Sequence, residues 1–394
     1  MPANLQPVIL HIEGCNFVDK PTGGQLNFSR QLLKAFGNRL ALVGWASTPS
    51  EPIGCWFNKT IDGITYRYFA FGRDIPSDAK PLIPARITTW LQIRRYCNRI
   101  LSIGIPNIFI REHSILMALN HKPGMNICFY NPGVDSALSI SRYPWAVRFA
   151  DLFDHLFFKS LGQKASCILA AADKSAITDL KNRAGGRLRG KNIISFPTRV
   201  DTEIFHPANR IEARKGLGLP TDAIIAVTSG RIHWAKGWPF LLESFKLFLA
   251  RFPNAMLFFI GNGAEREALM QHASALCIQE NIILTGYQSP AVIASYLQAS
   301  NLFVMGSLKE GWSTVLVEAL ATGLPIVTTK FSSADSIVSD GINGFIVERE
   351  PQIFAKAMDA ALKLTEVKEY SIKETEKYAL SNLATALTDV WPLI

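Results

Sequence analysis

Along the chain, short apolar runs bounded by glycine, proline or polar clusters alternate with longer stretches whose apolar residues recur every three or four positions. The runs "PVILHIEG" (Pro7–Gly14), "LALVGWA" (Leu40–Ala46), "NIFIRE" (Asn107–Glu112), "NICFYN" (Asn126–Asn131), "SCILAA" (Ser166–Ala171) and "KNIISFP" (Lys191–Pro197) have the length and near-continuous apolarity of strands covered on both faces. Between the first two lie the loop "PTGGQ" (Pro21–Gln25) and the helix-like "LNFSRQLLKAFG", closed by Gly37. Strand, glycine loop, helix and strand in that order predict a βαβ unit and a parallel sheet.

After the polar, extended "TRVDTEIFHP" (Thr198–Pro207) the pattern restarts. "AIIAVTSGR" (Ala223–Arg231) is a strand running into a glycine turn, and "PFLLESFKLFLARF" (Pro239–Phe252) is an amphipathic helix with proline in its first turn. "AMLFFIGNG" (Ala255–Gly263), "NIILTGY" (Asn281–Tyr287), "NLFVMGS" (Asn301–Ser307), "PIVTT" (Pro325–Thr329) and "GFIV" (Gly344–Val347) then alternate with helical segments. This predicts a second doubly wound sheet, and Gly230, Gly261 and Gly286 fall at the carboxyl ends of its strands, where such sheets hold ligands. The last periodic stretch, "IKETEKYALSNLATALTDVW" (Ile372–Trp391), reads as one amphipathic helix with Tyr378, Leu380, Leu383 and Leu387 on one side, packing back against the first half.

A length of 394 residues agrees with two cores, and 48% apolar with 19% charged residues argues against disorder. The formal net charge of +9 favours anionic partners, among them phosphorylated small molecules, anionic lipid surfaces and nucleic acid. The basic residues are dispersed and lack interleaved stacking aromatics, which disfavours nucleic acid. Six cysteines stand far apart with no C-x-x-C pair, so neither a zinc site nor a disulfide framework is indicated and a reducing cytosol fits. The N-terminus lacks a signal-peptide pattern and no window of about 18 uninterrupted apolar residues occurs, so a soluble or peripheral protein is expected.

One stretch carries the chemistry. "KEGWSTVLVEALATGLPIVTT" (Lys309–Thr329) begins as a charged loop, becomes a short helix from about Thr314, and ends where Gly323 closes the helix and Pro325 forbids its continuation. The helix amides near Gly311, Trp312, Ser313, Thr314 and Val315 make an anion seat. Glu310 hangs beside it, and Glu318 lies about 6 Å up the axis. A lone glutamate on a helix is usually a solvated residue, but the apolar neighbours of Glu318 speak for burial and a need for a partner. Two carboxylates bracketing an anion seat suit a molecule with a central diphosphate and hydroxyl-bearing rings at both ends, a nucleotide-sugar. The cations such a ligand needs are offered by Arg231 and Lys236 in "SGRIHWAKGW", following the Gly230 turn. No Asp-x-Asp pair is present to hold a metal, and none is expected.

Taken together, "SGRIHWAKGWPFLLESF", "LFFIGNGAEREAL", "IILTGYQ", "LFVMGSLKEGWSTVLVEALATGLPIVTT" and "DGINGFIV" resemble the retaining glycosyltransferases of the GT-B fold, especially carbohydrate-active-enzyme family 4, over residues 220–350. The resemblance implies two Rossmann-like domains with parallel sheets facing a central cleft: an acceptor-binding domain over 1–205 joined by a C-terminal helix at about 372–394, and a nucleotide-sugar-binding domain over 206–371. It implies that Glu310 contacts the transferred sugar, Glu318 the ribose, and Arg231 and Lys236 the diphosphate. Tyr287 and Gln288 would receive the base, and Gly23 and Gly24 resemble the glycine loop of the first domain. Relatives commonly read Gly-Phe-Gly after the first glutamate. Here Gly311-Trp312-Ser313 stands instead, which puts the shape of the sugar pocket in question. His113 is the candidate for the first-domain histidine of many relatives, with Tyr130 and Asn131 as alternative cleft-wall residues.

The expected activity is that of a metal-independent, cofactor-free hexosyltransferase acting by front-face substitution with retention, since no glycosidase-like carboxylate pair is evident. Its acceptor would be a glycan or lipid-linked molecule of cell-surface polysaccharide, lipopolysaccharide or glycolipid synthesis, reached in the cytoplasm or at the cytoplasmic face of the inner membrane. The basic stretch "PARITTWLQIRRYCNRILSIG" (Pro84–Gly104), with Arg86, Trp90, Arg94, Arg95 and Arg99, would touch an anionic membrane or else form a solvated helix face. The competing readings are another GT-B enzyme, an epimerase or phosphorylase, and a non-catalytic anion or nucleic-acid binder.

Overall fold

In the computed structural model, residues 6–20, 24–73, 83–131, 136, 138, 143–308 and 310–394 are described. The chain forms two compact units, residues 1–197 with 381–394, and residues 198–380.

Among the described residues the first unit holds eight strands, β1 (Ile9–Ile12), β2 (Leu40–Ala46), β3 (Trp56–Ile61), β4 (Ile64–Arg73), β5 (Asn107–Ile110), β6 (Asn126–Asn131), β7 (Cys167–Ala170) and β8 (Ile193–Ser195). Their order across the sheet is β3-β4-β2-β1-β5-β6-β7-β8, all parallel except the β3–β4 pair. Each of the six runs read as strands is one, and every residue of β1, β2, β5, β6 and β7 is buried, as strands packed on both faces require. The β3–β4 hairpin is an addition that the reading of the sequence passed over. Asp62 and Gly63 take φ of +48° and +79° between the paired Ile61 and Ile64, the left-handed pair a tight two-residue turn needs.

The second unit holds β9 (Ile225–Ser229), β10 (Met256–Ile260), β11 (Ile282–Gly286), β12 (Leu302–Met305), β13 (Ile326–Thr329) and β14 (Gly344–Val347). All are parallel in the order β11-β10-β9-β12-β13-β14. Alternate residues feed different cores: Leu257 and Phe259 join one cluster with Phe240, Leu241 and Phe354, whereas Phe258 and Ile260 join another with Leu316, Leu320 and Leu297. Helices therefore cover both faces, which is the doubly wound arrangement.

The C-terminal stretch differs from the single helix expected over 372–391. A helix Val367–Thr375 is followed by two short 3-10 turns and a separate helix, Leu383–Val390. At the break, Ala379 is extended and Val200 exchanges hydrogen bonds with its neighbours: Val200 N–H donates to Tyr378 O and Leu380 N–H to Val200 O, each 2.8 Å. Tyr378 accordingly joins the core of the second unit, while Leu383 and Leu387 lie in the first. The same pairing draws Thr198–Phe205 into the second unit, so the units divide at 197/198 and 380/381 and not at 205/206 and 371/372.

Candidate active site

In the second unit the strand order reverses between β9 and β12, the crevice where doubly wound sheets place ligands. The loops leaving the carboxyl ends of these two strands hold the candidate residues. After β9 the chain passes Gly230, in a conformation (φ +137°) suited to glycine, and exposed Arg231. The buried side chain of Ile232 and its N–H bond to Asn262 O (3.1 Å) fix the path. A short turn, Trp234–Lys236, then leads through Gly237 (φ +75°) into the helix Trp238–Leu249.

The loop after β12 is laced to this one. Leu308 N–H donates to Ala235 O (2.9 Å), and Arg349, whose guanidinium lies 4.6 Å from the Phe240 ring, donates to Gly306 O. A Cβ on Gly237 would collide with the same Gly306 carbonyl, so glycine is required there for two reasons. The lacing brings Lys236 Nζ within 2.5 Å of Glu310 Oε1, which also accepts from the buried Ser307 hydroxyl at 2.8 Å. Two candidates read 74 positions apart are thus in direct contact.

Beyond Glu310, half-buried Gly311 leads to the helix Thr314–Ala321, which has the expected bounds, with Gly323 at φ +72° after it. Ser313 occupies the N-cap position without capping: its hydroxyl faces Met305 Sδ (3.5 Å) and its N–H donates to Ser333 Oγ (3.2 Å). No acidic residue stands in the first turn, so its positive end is not offset locally. The Thr314 hydroxyl pairs with that of Thr198 at 3.1 Å, and Val315 is half-buried. Trp312 packs its ring 5.6 Å from that of Tyr378, joining the adjoining core. Glu318, half-buried by accessible surface yet hemmed in by Leu316, Val317, Ala319 and Leu320, has its carboxyl pushed up to about 8 by burial. Tyr287, after β11, is 74% exposed, and Gln288 donates to Thr285 O at 2.8 Å.

In the first unit the corresponding reversal lies between β1 and β5. Gly23 falls outside the described residues, and Gly24 opens the helix Gly24–Phe36. His113 sits among Phe129, Phe153 and Phe157, with ring centroids 4.3–6.2 Å away. Burial, and then the charges of Arg86 and Arg183, push it down to about 3, so the imidazole is neutral at physiological pH. Tyr130 stacks on Phe28 at 4.5 Å, and Asn131 is buried at the end of β6. The sequence reading missed a buried ion pair here: Glu13, just after β1, and Arg111, just after β5, lie 3.9 Å apart, with the guanidinium over Phe28 and Tyr130. Charged residues directly following two apolar runs were the signal. Next to them, Glu112 accepts from Ser114 Oγ at 2.5 Å, and burial pushes its carboxyl up to about 7. Among the described residues no three His, Cys, Asp or Glu side chains converge, and no helix is long and apolar enough to cross a membrane.

This architecture is the GT-B glycosyltransferase fold. A structure of HepE from Anabaena in complex with UDP-glucose superimposes with a TM-score of 0.69 at 16% identity, covering 97% of this chain and 98% of that one. Residues 209–378, most of the second unit, match the family described as Glycosyl transferases group 1. The chain is 29% identical over 199 residues to a D-inositol 3-phosphate glycosyltransferase of Streptomyces griseus, covering 47% of this chain and 42% of that protein. It is 31% identical over 147 residues to the lipopolysaccharide core biosynthesis glycosyltransferase LpsE of Rhizobium meliloti, covering 37% and 42%. The chain thus spans less than half the length of these curated relatives in the matched regions.

Proposed function

We propose that the protein is a retaining, metal-independent hexosyltransferase of the family 4 type. It would move a sugar from a nucleoside-diphosphate donor to a glycan or lipid-linked acceptor in the synthesis of cell-surface polysaccharide, lipopolysaccharide or glycolipid at the cytoplasmic side of the membrane. The observation that carries this reading is the Lys236–Glu310 contact across the strand-order reversal, beside the acid-free first turn of the helix that bears Glu318. A diphosphate seated on those helix amides meets the Lys236 ammonium, which has three N–H donors and gives one to Glu310, leaving two for phosphate oxygens. Arg231 supplies the second cation. Glu310, held through Ser307 and Lys236, presents its other carboxylate oxygen to the sugar, and Glu318 accepts from the ribose hydroxyls.

In the proposed reaction the bond between the anomeric carbon and the diphosphate oxygen breaks. Charge developing on that oxygen is stabilised by Lys236, Arg231 and the helix amides. The departing phosphate accepts the proton of the acceptor hydroxyl, which attacks the same face. Removal of one such cation (Lys236→Ala) is expected to lower kcat by about 100- to 1,000-fold. Glu310→Ala is expected to abolish turnover while leaving nucleotide binding near wild type, whereas Glu318→Ala weakens both. A thermal-shift screen of UDP, GDP, ADP and their sugars identifies the donor, because a ligand that prefers the native state raises its stability. Small, equal effects of both glutamate substitutions, or a product of inverted anomeric configuration, would overturn the reading.

A further inference from the structure

The helices Ala85–Leu101 and Ala150–Lys164 of the first unit, with the short helix Pro144–Val147, border an open groove of about 530 Å³. Its walls are apolar apart from Arg86, Ser114 and Tyr143. Several of the apolar side chains that line it stay exposed. The first helix turns Thr89, Ile93, Cys97 and Ile100 inward and leaves Ile87, Trp90 and Leu91 outside. The second buries Phe157, Phe158 and Leu161 and leaves Leu152 and Leu156 at least half exposed, as is Phe149 just ahead of it. A contiguous apolar surface of this kind marks a site of interaction.

The charge around it selects the occupant. Arg94 and Arg95 follow Trp90 and Leu91 at a spacing of four on the first helix, and Lys159 follows Leu156 at a spacing of three on the second, so both apolar stripes run into cations. Exposed Arg148 stands beside Phe149. The first helix contains no acid. On the second, Asp154 is buried against Arg183 (3.1 Å), and Asp151 is exposed.

We propose that this face docks on an anionic phospholipid bilayer. Leu152, Leu156, Phe149 and Trp145 enter the boundary between headgroups and acyl chains, and Arg94, Arg95, Arg148 and Lys159 reach back to the phosphates. Tryptophans on two walls (Trp90 and Trp145) suit the headgroup level, and long basic side chains keep their charge in water above a buried apolar stem. A second copy of the chain fits poorly, since it would bring two like-charged rims together on a molecule of net charge +9. The inference goes beyond the transferase reading and does not depend on it.

Flotation with vesicles of phosphatidylcholine, alone or mixed with phosphatidylglycerol, tests it. The full chain is expected to float with the mixed vesicles, less so at high salt, and to remain unbound with pure phosphatidylcholine. The Leu152→Asn, Leu156→Asn double variant should lower partitioning at least about tenfold. The Arg95→Gln, Lys159→Gln variant should lower it roughly thirtyfold at low salt. Unchanged melting of these exposed-site variants controls for folding. Wild-type protein that ignores both vesicle types, variants that float like wild type, or a wild-type dimer dissolved by the leucine substitutions without any vesicle binding would each overturn the proposal. UDP-induced stabilisation, measured on the same samples, judges the transferase reading separately.

Discussion

Glu318 shows how one position can be both legible and surprising. Its apolar neighbours in the sequence foretold burial, and burial raises its carboxyl to about 8. The unfolded chain titrates near the ordinary value of about 4.3. Because the folded pKa is the higher of the two, the contribution to stability is fully present below about pH 4.3 and is lost as pH rises through about 8. Glu318→Gln should therefore melt higher than wild type above pH 8 and show no such advantage in acid, and equal differences at both ends would refute the assignment. Under the proposed function ribose hydroxyls would donate to the ionised form, so donor binding would expel this proton. Nucleotide-sugar affinity should rise with pH towards about 8 and then level off, and Glu318→Gln should flatten the profile. Titration calorimetry in buffers of different ionisation enthalpy reads the proton directly. Lys236 and Glu310 were individually legible from the sequence too. Their contact, across 74 positions, was not, because it depends on β9 and β12 being neighbours in the sheet.

At the scale of elements, local chemistry was readable and non-local assembly was not. The helix Thr314–Ala321 ends where Gly323 and Pro325 dictate, and all the strand runs named from the sequence formed, since a buried parallel strand needs only a short apolar run. The β3–β4 hairpin was less legible although Asp62-Gly63 signals it, because its flanks alternate apolar with polar residues and form no continuous apolar run. The terminal helix was overextended for the opposite reason: apolar spacing continues across Ala379, yet Tyr378 and Leu383 serve different cores. The loop pair around Lys236 gives a test at this scale. Gly237→Ala adds a Cβ against the Gly306 carbonyl at a positive φ, at a cost on the order of 1–3 kcal/mol. Displacing the two loops should separate Lys236 from Glu310, so kcat should fall by more than the loss of stability accounts for. Retained turnover in a well-folded Gly237→Ala protein would show that the lacing has no part in the reaction.

For the whole molecule, the return of the chain to the first unit is fixed by a few residues at the very end. Trp391 is buried, its ring 6.2 Å from that of Phe109, and its indole N–H donates to Asn126 Oδ1 at 2.8 Å. Asn126 Nδ2 donates to Pro392 O at 2.8 Å, and Asn107 pairs both its amide groups with the backbone of Ile394 at 3.0 Å. Asn107 and Asn126 open β5 and β6, so the tail adds to the bonds these two buried side chains already make with each other (2.9 Å), with Val8 O (3.0 Å) and with the Ser166 hydroxyl (2.6 Å) at the start of two central strands. The helical spacing of Leu383 and Leu387 announced the direction of this return, whereas the asparagine ladder was invisible because each asparagine merely looked like the polar border of an apolar run. Trp391→Ala should cost about 3–5 kcal/mol in cavity and lost contact. The loss belongs to the first unit, so hydrogen exchange should accelerate across β5, β6 and the helix Gly24–Phe36, while β9, β12 and the helix Thr314–Ala321 keep their protection. Because two units need not unfold together, a single melting temperature does not tell which unit lost stability, and unit-resolved exchange with nucleotide-induced protection of the second unit is the measurement to make here. Equal acceleration in both units would show that the tail stabilises the chain as one cooperative body.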